Sequence, residues 1–310
     1  MRHVFIINPV AGDGKIQKSI VDNIENNFKN KNIDYEVYYT KCKGDIRNYL
    51  KDNIKEGVST VFYACGGDGT LHEVVNAVLS SDCSTAMVGV IPCGSGNDFV
   101  KNFNNDGNFL DIHAQISGQT VSLDLLKVTN EYAVSVCNIG LDADAAANMH
   151  KFKKFPFISG STRYYLSVIY CLINRLGKNL DVTIDGSSKL NGSYLLGVLA
   201  NGHSYGGGYK CAPKAVINDG IMDLCFVRNL SRLKIMNLIG SYKLGEHLNN
   251  PKISRYITYL KCKSVNIKSN EALNICIDRE IYSNSEVDVT IEKNALQFWL
   301  PEGVKIQERD

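Results

Sequence analysis

Hydrophobic positions along the first 120 residues fall in two alternating periods, and the switches between them outline a fold. His3-Val4-Phe5-Ile6-Ile7 is a compact apolar run of strand length. Ile16, Ile20, Ile24 and Phe28 follow at i+4 spacing, which places them on one helix face. Tyr35, Val37 and Tyr39 alternate as a strand, and Ile46, Tyr49 and Leu50 mark a second helix. Thr60 to Cys65 is apolar, β-branched and aromatic, as expected of a strand covered on both faces. Leu71, Val74, Val75, Val78 and Leu79 return to helical spacing, and Ala86 to Ile91 is a further strand ending at Pro92. This β-α-β-α rhythm predicts an α/β domain: an open, mostly parallel sheet with helices on both faces.

After about residue 120 the pattern becomes mainly strands. The expected runs are Val121 to Val128, Tyr132 to Asn138, Leu180 to Ile184, Ser193 to Ala200 and Met222 to Val227, then Val265 to Ile267, Leu273 to Ile277 and Val287 to Ile291. Turn signals such as Asp185-Gly186 separate them, which points to an antiparallel β-sandwich. Helical patterns over Arg163 to Leu176 and Leu233 to His247 interrupt this half. The expected organisation is an α/β domain over 1–120, a β-rich domain over 121–300, and a tail over 301–310 that could pack back on the first domain.

Ligands of open parallel sheets bind at the carboxyl ends of the strands. Three loops leave those ends: Asn8 to Gly14, Gly66 to Thr70, and Gly94 to Asp98. In Gly66-Gly67-Asp68-Gly69-Thr70 the glycines allow close approach of backbone to a ligand, and the helix that follows offers its N-terminus to an anion. A carboxylate facing phosphates is repulsive unless a cation lies between, so Asp68 hints at Mg²⁺ with a nucleotide. Thr70 with Glu73 three residues on also fits a capping box, which needs no ligand. The first loop, Asn8-Pro9-Val10-Ala11-Gly12-Asp13-Gly14-Lys15, lacks the G-x-x-x-x-G-K-[ST] pattern, so a P-loop is excluded. The third, Pro92 to Phe99, combines Ser95, Asn97 and Asp98 with two glycines, a composition that turn chemistry alone also explains.

Composition narrows the partners. The 310 residues carry 34 Lys and Arg against 32 Asp and Glu, a net charge of +2, which gives no electrostatic case for nucleic acid. Ten cysteines are scattered in apolar contexts with no C-x-x-C pair, and read as buried thiols of a reducing compartment. The N-terminus enters a strand directly, without a signal-like segment, so a cytoplasmic protein is expected. No run approaches the roughly 18 apolar residues of a membrane span. His72 and His203 lack a paired acid or metal-ligand spacing and are given no catalytic role.

The motif order resembles the diacylglycerol kinase catalytic-domain lipid kinases, in particular the soluble bacterial branch that includes diacylglycerol kinase B. The resemblance spans essentially the whole chain. It rests on Asn8-Pro9, Gly66 to Thr70 with Glu73, Gly94 to Phe99, Asp124, Asn201-Gly202, Gly206-Gly207-Gly208, Ala212-Pro213-Lys214-Ala215, Asn218-Asp219-Gly220 and Asp278-Arg279-Glu280. The Gly66–Thr70 motif is shared with NAD kinases, whereas the run over 206–220 is more specific. The resemblance implies a NAD kinase/diacylglycerol kinase-like fold and an ATP- and Mg²⁺-dependent transfer of the γ-phosphate to a lipid hydroxyl, with diacylglycerol as leading acceptor. It implies that Asn8, Thr40, Gly66, Gly67, Asp68, Gly69, Thr70, Leu71, His72 and Ser95 hold ATP, and that Asp68, Asp98 and Asp124 organise the catalytic Mg²⁺. Asp219, with the carbonyls of Val216 and Ile221, matches a structural Mg²⁺ site, and Glu280 matches the general base.

Read without the family, Asp124 and Asp219-Gly220 are ordinary strand-end and turn residues, and Asp278-Arg279-Glu280 is a charged turn. Arg279 stands where the family usually has glycine, which is harmless only if the turn does not require positive φ. NAD kinase, or a catalytically weak protein that binds nucleotide and lipid, stays open as an alternative. His150-Lys151-Phe152-Lys153-Lys154-Phe155-Pro156-Phe157 interleaves basic and aromatic residues, a pattern that is commonly a solvated loop with a few packed aromatics and that also suits peripheral contact with the inner face of a membrane. A homodimer is common in the family, but no interface is legible in the sequence.

Overall fold

The computed structural model describes residues 1–12, 14, 16–28, 33–152, 160–174 and 176–308. The chain divides into two units: residues 1–125 with 216–219 and 292–310, and residues 126–215 with 220–291.

In the first unit β1 (Arg2–Ile7), α1 (Ile16–Phe28), β2 (Asp34–Tyr39), α2 (Asp45–Asn53), β3 (Thr60–Gly66), α3 (Asp68–Leu79) and β4 (Ala86–Pro92) alternate as the two periods predict. The strands are parallel in the order β2-β1-β3-β4. Their ends are level: Ile7 is opposite Tyr39 on one side and Cys65 on the other, and Gly66 is opposite Pro92. The loops after Ile7, Gly66 and Pro92 therefore leave one edge of the sheet. All of β3 is buried, because helices cover both faces. Tyr63 stacks on Phe5 with centroids 4.5 Å apart, and Phe28 of α1 meets Phe5 edge-on. Each such buried side chain contributes about 1.5–3 kcal/mol, so this layer fixes where the strand ends lie. The unit continues through β5 (Phe103–Asn104), α4 (Ile112–Ile116) and the start of β6 (Gln119–Val128).

The second unit holds β7 (Glu131–Ala133), β8 (Val136–Gly140), α5 (Leu141–Asn148), α6 (Gly160–Ile173), β9 (Lys178–Ile184), β10 (Ser188–Ala200), β11 (Met222–Arg228), α7 (Arg232–Leu244), β12 (Ile257–Cys262), β13 (Ser264–Ile277) and the first part of β14 (Glu280–Leu300). β8 and β9 each pair antiparallel with both β10 and β13, so four strands close on themselves. Inside lie Ile139, Val182, Leu199, Ile267 and Ile275. A second cluster joins Val136, Leu196, Val198 and Val227 to Cys171 of α6 and Ile235, Leu238 and Tyr242 of α7.

Strand boundaries depart from the hydrophobic pattern in two informative ways. Tyr132 to Asn138, expected as one strand, breaks into β7 and β8 because the N–H groups of Val134, Ser135 and Val136 donate to the Asp278 carboxylate and leave the ladder. Conversely, Val265–Ile267 and Leu273–Ile277 belong to one strand, and Val287–Ile291 is the middle of a 21-residue β14. Their polar stretches hide the continuity, since exposed strand residues need not alternate with apolar ones.

The last part of β14 belongs to the first unit, where Phe298 pairs parallel with Val88 of β4. Trp299 donates its Nε1–H to the Gln115 carbonyl at 2.7 Å. β15 (Lys305–Ile306) then pairs with β5.

Candidate active site

At the carboxyl edge of the first unit the three loops are fastened by main-chain bonds. Asn8 N–H donates to the Cys65 carbonyl at 3.0 Å, and Cys93 N–H donates to the Gly66 carbonyl at 2.8 Å. The Asn8 side-chain amide donates to Thr70 Oγ1 at 3.0 Å. Thr40 N–H bonds the Ile7 carbonyl at 2.9 Å, which sets Thr40 on the same edge. Two glycines are required by space. A Cβ on Gly66 would lie 2.3 Å from Thr70 Oγ1, and one on Gly94 would lie 2.4 Å from the Gly67 Cα. The second and third loops thus meet backbone to backbone.

α3 begins at Asp68 after an extended Gly67 and has no side-chain N-cap. The capping-box reading of Thr70 and Glu73 is corrected: the Glu73 carboxylate accepts the Ile46 N–H of α2 at 3.1 Å, and Thr70 is already inside the helix. A helix N-terminus without a side-chain cap, opening on glycine backbone, favours an anion. Leu71 and His72 are buried along α3, and the Leu71 N–H already donates to the Gly67 carbonyl at 3.1 Å. Ser95 is exposed on the third loop. Asp13 and Lys15 of the first loop lie outside the described residues.

The structure brings Asp68 and Asp98 together. Asp68 Oδ1 accepts the Asp98 N–H at 2.7 Å and the Phe99 N–H at 3.4 Å. Asp98 is buried and paired with Lys101 Nζ at 2.6 Å. Asp124, fully buried on β6, accepts the Asn294 N–H at 2.7 Å and donates its own N–H to the Ile217 carbonyl at 2.9 Å. Among the described residues no group of three or more His, Cys, Asp and Glu side chains is arranged to hold a metal ion. The Asp68 carboxylate, bonded to the Asp98 backbone, and the Asp98 carboxylate, paired with Lys101, are the two that could serve Mg²⁺, a hard cation usually held by one or two carboxylates, substrate phosphates and water. Val216 and Asp219 belong to the first unit and Ile221 to the second. Gly220 between them takes a φ of 75°.

In the second unit β13 turns into β14 through Asp278-Arg279, with Ile277 opposite Glu280. Both turn residues have positive φ, 44° and 81°. That combination matches a two-residue type I′ hairpin, which favours Asn, Asp or Gly first and Gly second. The turn therefore does require positive φ, and Arg279 occupies it at a cost of about 1–2 kcal/mol. Asp278 offsets this by accepting the N–H groups of Val134, Ser135 and Val136, the last two at 3.1 and 3.0 Å, while its own N–H donates to the Val136 carbonyl at 3.1 Å. The sequence pattern marks Asp278 only as part of a charged turn; its role as the anchor of the hairpin emerges from the fold. Glu280, half-buried, is the first residue of β14 beyond this turn.

A further carboxylate of this unit went unmarked in the sequence. Asp142, in the first turn of α5, accepts a hydrogen bond from Tyr205 OH, and burial pushes its carboxyl up to about 7. Tyr205 precedes Gly206, Gly207 and Gly208, all of positive φ. The one available signal was the short Gly140-Leu141-Asp142 turn after a strand. His203 is buried, and its carbonyl accepts the Ala212 N–H at 3.2 Å. Of the stretch expected to meet a membrane, His150, Lys151 and Phe152 are described, and Lys153, Lys154, Phe155, Pro156 and Phe157 lie outside the described residues.

Residues 2–128 match the model of the diacylglycerol kinase catalytic domain, and residues 135–300 match that of the YegS C-terminal NAD kinase beta sandwich-like domain. The chain belongs to the diacylglycerol kinase catalytic-domain family. A Staphylococcus epidermidis relative named "Putative lipid kinase" is 31% identical over 260 residues, 83% of this chain and 82% of its own length. A Bacillus anthracis structure titled as a putative diacylglycerol kinase superposes with a TM-score of 0.76 at 20% identity, covering 97% of each chain. An Archaeoglobus fulgidus NAD kinase solved with ATP reaches a TM-score of 0.50 at 10% identity over 99% of this chain and 94% of its own. These two likenesses bear on the fold, which is that of the diacylglycerol kinase and NAD kinase group. As a member of its family the chain is a lipid kinase.

Proposed function

We propose that this lipid kinase transfers the γ-phosphate of ATP to the hydroxyl of diacylglycerol, with Mg²⁺, giving phosphatidic acid. The observation that carries the nucleotide half is the bond from the Asp98 N–H to the Asp68 carboxylate, 2.7 Å, which locks two glycine loops into one site beside an uncapped helix N-terminus. In this reading residues 1–120 bind nucleotide and 121–300 serve the lipid. Asn8, Thr40, Gly66 to His72 and Ser95 hold ATP through backbone N–H groups and short polar side chains. Asp68, Asp98 and Asp124 would hold Mg²⁺ and its waters, and the ion would offset the charge of the transferring phosphoryl group. Asp219 with the Val216 and Ile221 carbonyls would hold a second, structural ion. Glu280 accepts the proton of the lipid hydroxyl as its oxygen attacks phosphorus.

The acceptor is tested with labelled ATP and Mg²⁺ against diacylglycerol, a sphingoid base, ceramide, phosphatidylglycerol and NAD. Label in phosphatidic acid is the expected result, label in NADP would replace this reading with NAD kinase, and label in another lipid would change the acceptor alone. One observation favours a second reading, a nucleotide- and lipid-binding protein of weak transferase activity: the φ of 81° at Arg279, directly before Glu280.

A further inference from the structure

Two helices of the second unit carry apolar surface that the unit does not cover. On α7 Leu233, Met236, Gly240 and Leu244 fall at i, i+3, i+7 and i+11, one stripe, and the three large side chains are 77%, 69% and 60% exposed. On α6 Ile169 and Ile173 are 53% and 72% exposed, with Tyr170 beside them. Arg232 joins the two stripes: its guanidinium donates to the carbonyls of Leu172, Ile173 and Asn174 at 2.6, 3.1 and 3.3 Å. It caps the C-terminus of α6 from the first residue of α7, so Ile173 and Leu233 lie at one joint. Neither Gly160–Ile173 nor Arg232–Leu244 contains Asp or Glu, whereas they hold Arg163, Arg232, Lys234 and Lys243. The rim is cationic too. Lys151 bonds Tyr170 OH at 2.9 Å, and Lys234 bonds Tyr256 OH at 2.7 Å with Arg255 over the same ring.

We propose that the joined α6–α7 face, with Ile173, Leu233 and Met236 at its centre and lysine and arginine at its rim, docks the enzyme on an anionic bilayer surface. Apolar side chains would enter the headgroup–acyl boundary while the cations stay at the level of the phosphates. The charge pattern chooses this occupant: a face without acidic groups repels its own copy and complements anionic lipid. Among the described residues no helix is long and apolar enough to cross a membrane, so the contact is lateral. The proposal deepens the lipid-kinase reading by giving the enzyme a surface from which to reach an acceptor held in a bilayer.

The test is cosedimentation of the full chain with vesicles of phosphatidylcholine, with and without phosphatidylglycerol, for wild type and Ile173→Ser/Leu233→Ser/Met236→Ser. These side chains are exposed, so the variant keeps its thermal midpoint, which is checked in parallel. Wild type is expected to bind the anionic vesicles and to release them at high salt, and the variant to bind about tenfold more weakly or less. Transfer to a short-chain, monomeric acceptor should be equal in both proteins, whereas transfer to acceptor in vesicles should fall in the variant. Equal vesicle binding by the two proteins overturns the proposal, as does a wild type that ignores vesicles but dimerises through this face. Vesicle binding that follows the pattern, with no transfer to any acceptor, keeps the docking face and removes the proposed activity.

Discussion

The nucleotide-side loops of the first unit and the Asp278–Glu280 hairpin of the second solve the same backbone problem differently. Where β3 and β4 end, close approach is given to Gly66, Gly67 and Gly94, and the loops meet without a side chain between them. At the hairpin the chain also needs an unusual backbone, but Arg279 takes the position suited to glycine at a φ of 81°. The first site is held by main-chain bonds together with the Asn8, Asp68 and Asn97 side chains, and its one non-glycine residue of positive φ among those described, Asn97 at 48°, is of a type that tolerates it. The second is strained and held by one carboxylate, Asp278. In the proposed reading a phosphate cradle has to match a ligand of fixed shape, whereas the hairpin would only have to aim Glu280, so strain there is tolerable as long as its anchor holds.

The largest effect should come from removing that anchor. Asp278→Ala leaves three buried N–H groups without their acceptor and should destabilise the protein by about 2–4 kcal/mol, measured by denaturant unfolding. Transfer should fall with it while ATP affinity in the folded fraction stays near wild type. Gly94→Ala breaks the other side of the comparison. Its Cβ would press on the Gly67 Cα, and overpacking of this kind costs about 1–3 kcal/mol, so ATP affinity measured by calorimetry should drop about tenfold.

Arg279→Gly sharpens the contrast in the opposite direction. Relief of positive φ at residue 279 should raise stability by about 1 kcal/mol, read as a higher denaturant midpoint. A faster turnover in the same variant would show that the strain limits the aim of Glu280. Unchanged stability would mean that the Arg279 side chain compensates in full.

Acid sensitivity cuts across the comparison, because both units share it. Burial lowers His3 in the first unit and His247 in the second to about 4. A depressed folded value means the unfolded chain binds the proton more tightly. The stability these groups give is complete above about 6.5 and is lost as pH falls from there towards 4, by at most about 1.4 kcal/mol per pH unit for each group. The midpoint should decline over that window, and His3→Gln should flatten part of the decline.

Legibility in the sequence follows the same division. The first unit was readable because its parallel strands are buried on both faces and its helices are amphipathic, so period and apolarity coincide in β3 and α3. The three loops were readable as loops because glycine, asparagine and aspartate form turns, and as one edge because parallel strands of this rhythm end level. In the second unit polar residues on exposed strand positions hid the length of β13 and β14, and a long-range bond from Asp278 split an otherwise continuous strand. α5 escaped notice because Ala143, Ala145, Ala146 and Ala147 give no apolar stripe. The capping box misled because its local pattern is right, yet Glu73 serves the N-terminus of α2, a partner 27 residues away. Residue identities marked Glu280 only through the family motif, since a half-buried glutamate after a turn has no chemical signature of its own.

The most direct test of the account is γ-phosphate transfer from ATP to diacylglycerol in mixed micelles by wild type and Glu280→Gln, with ATP binding measured on the same preparations. The account predicts product from the wild type, a loss of about 10²–10⁴-fold in the variant, and equal ATP affinity in both. Product formed at equal rates by the two proteins would contradict it and move the base elsewhere.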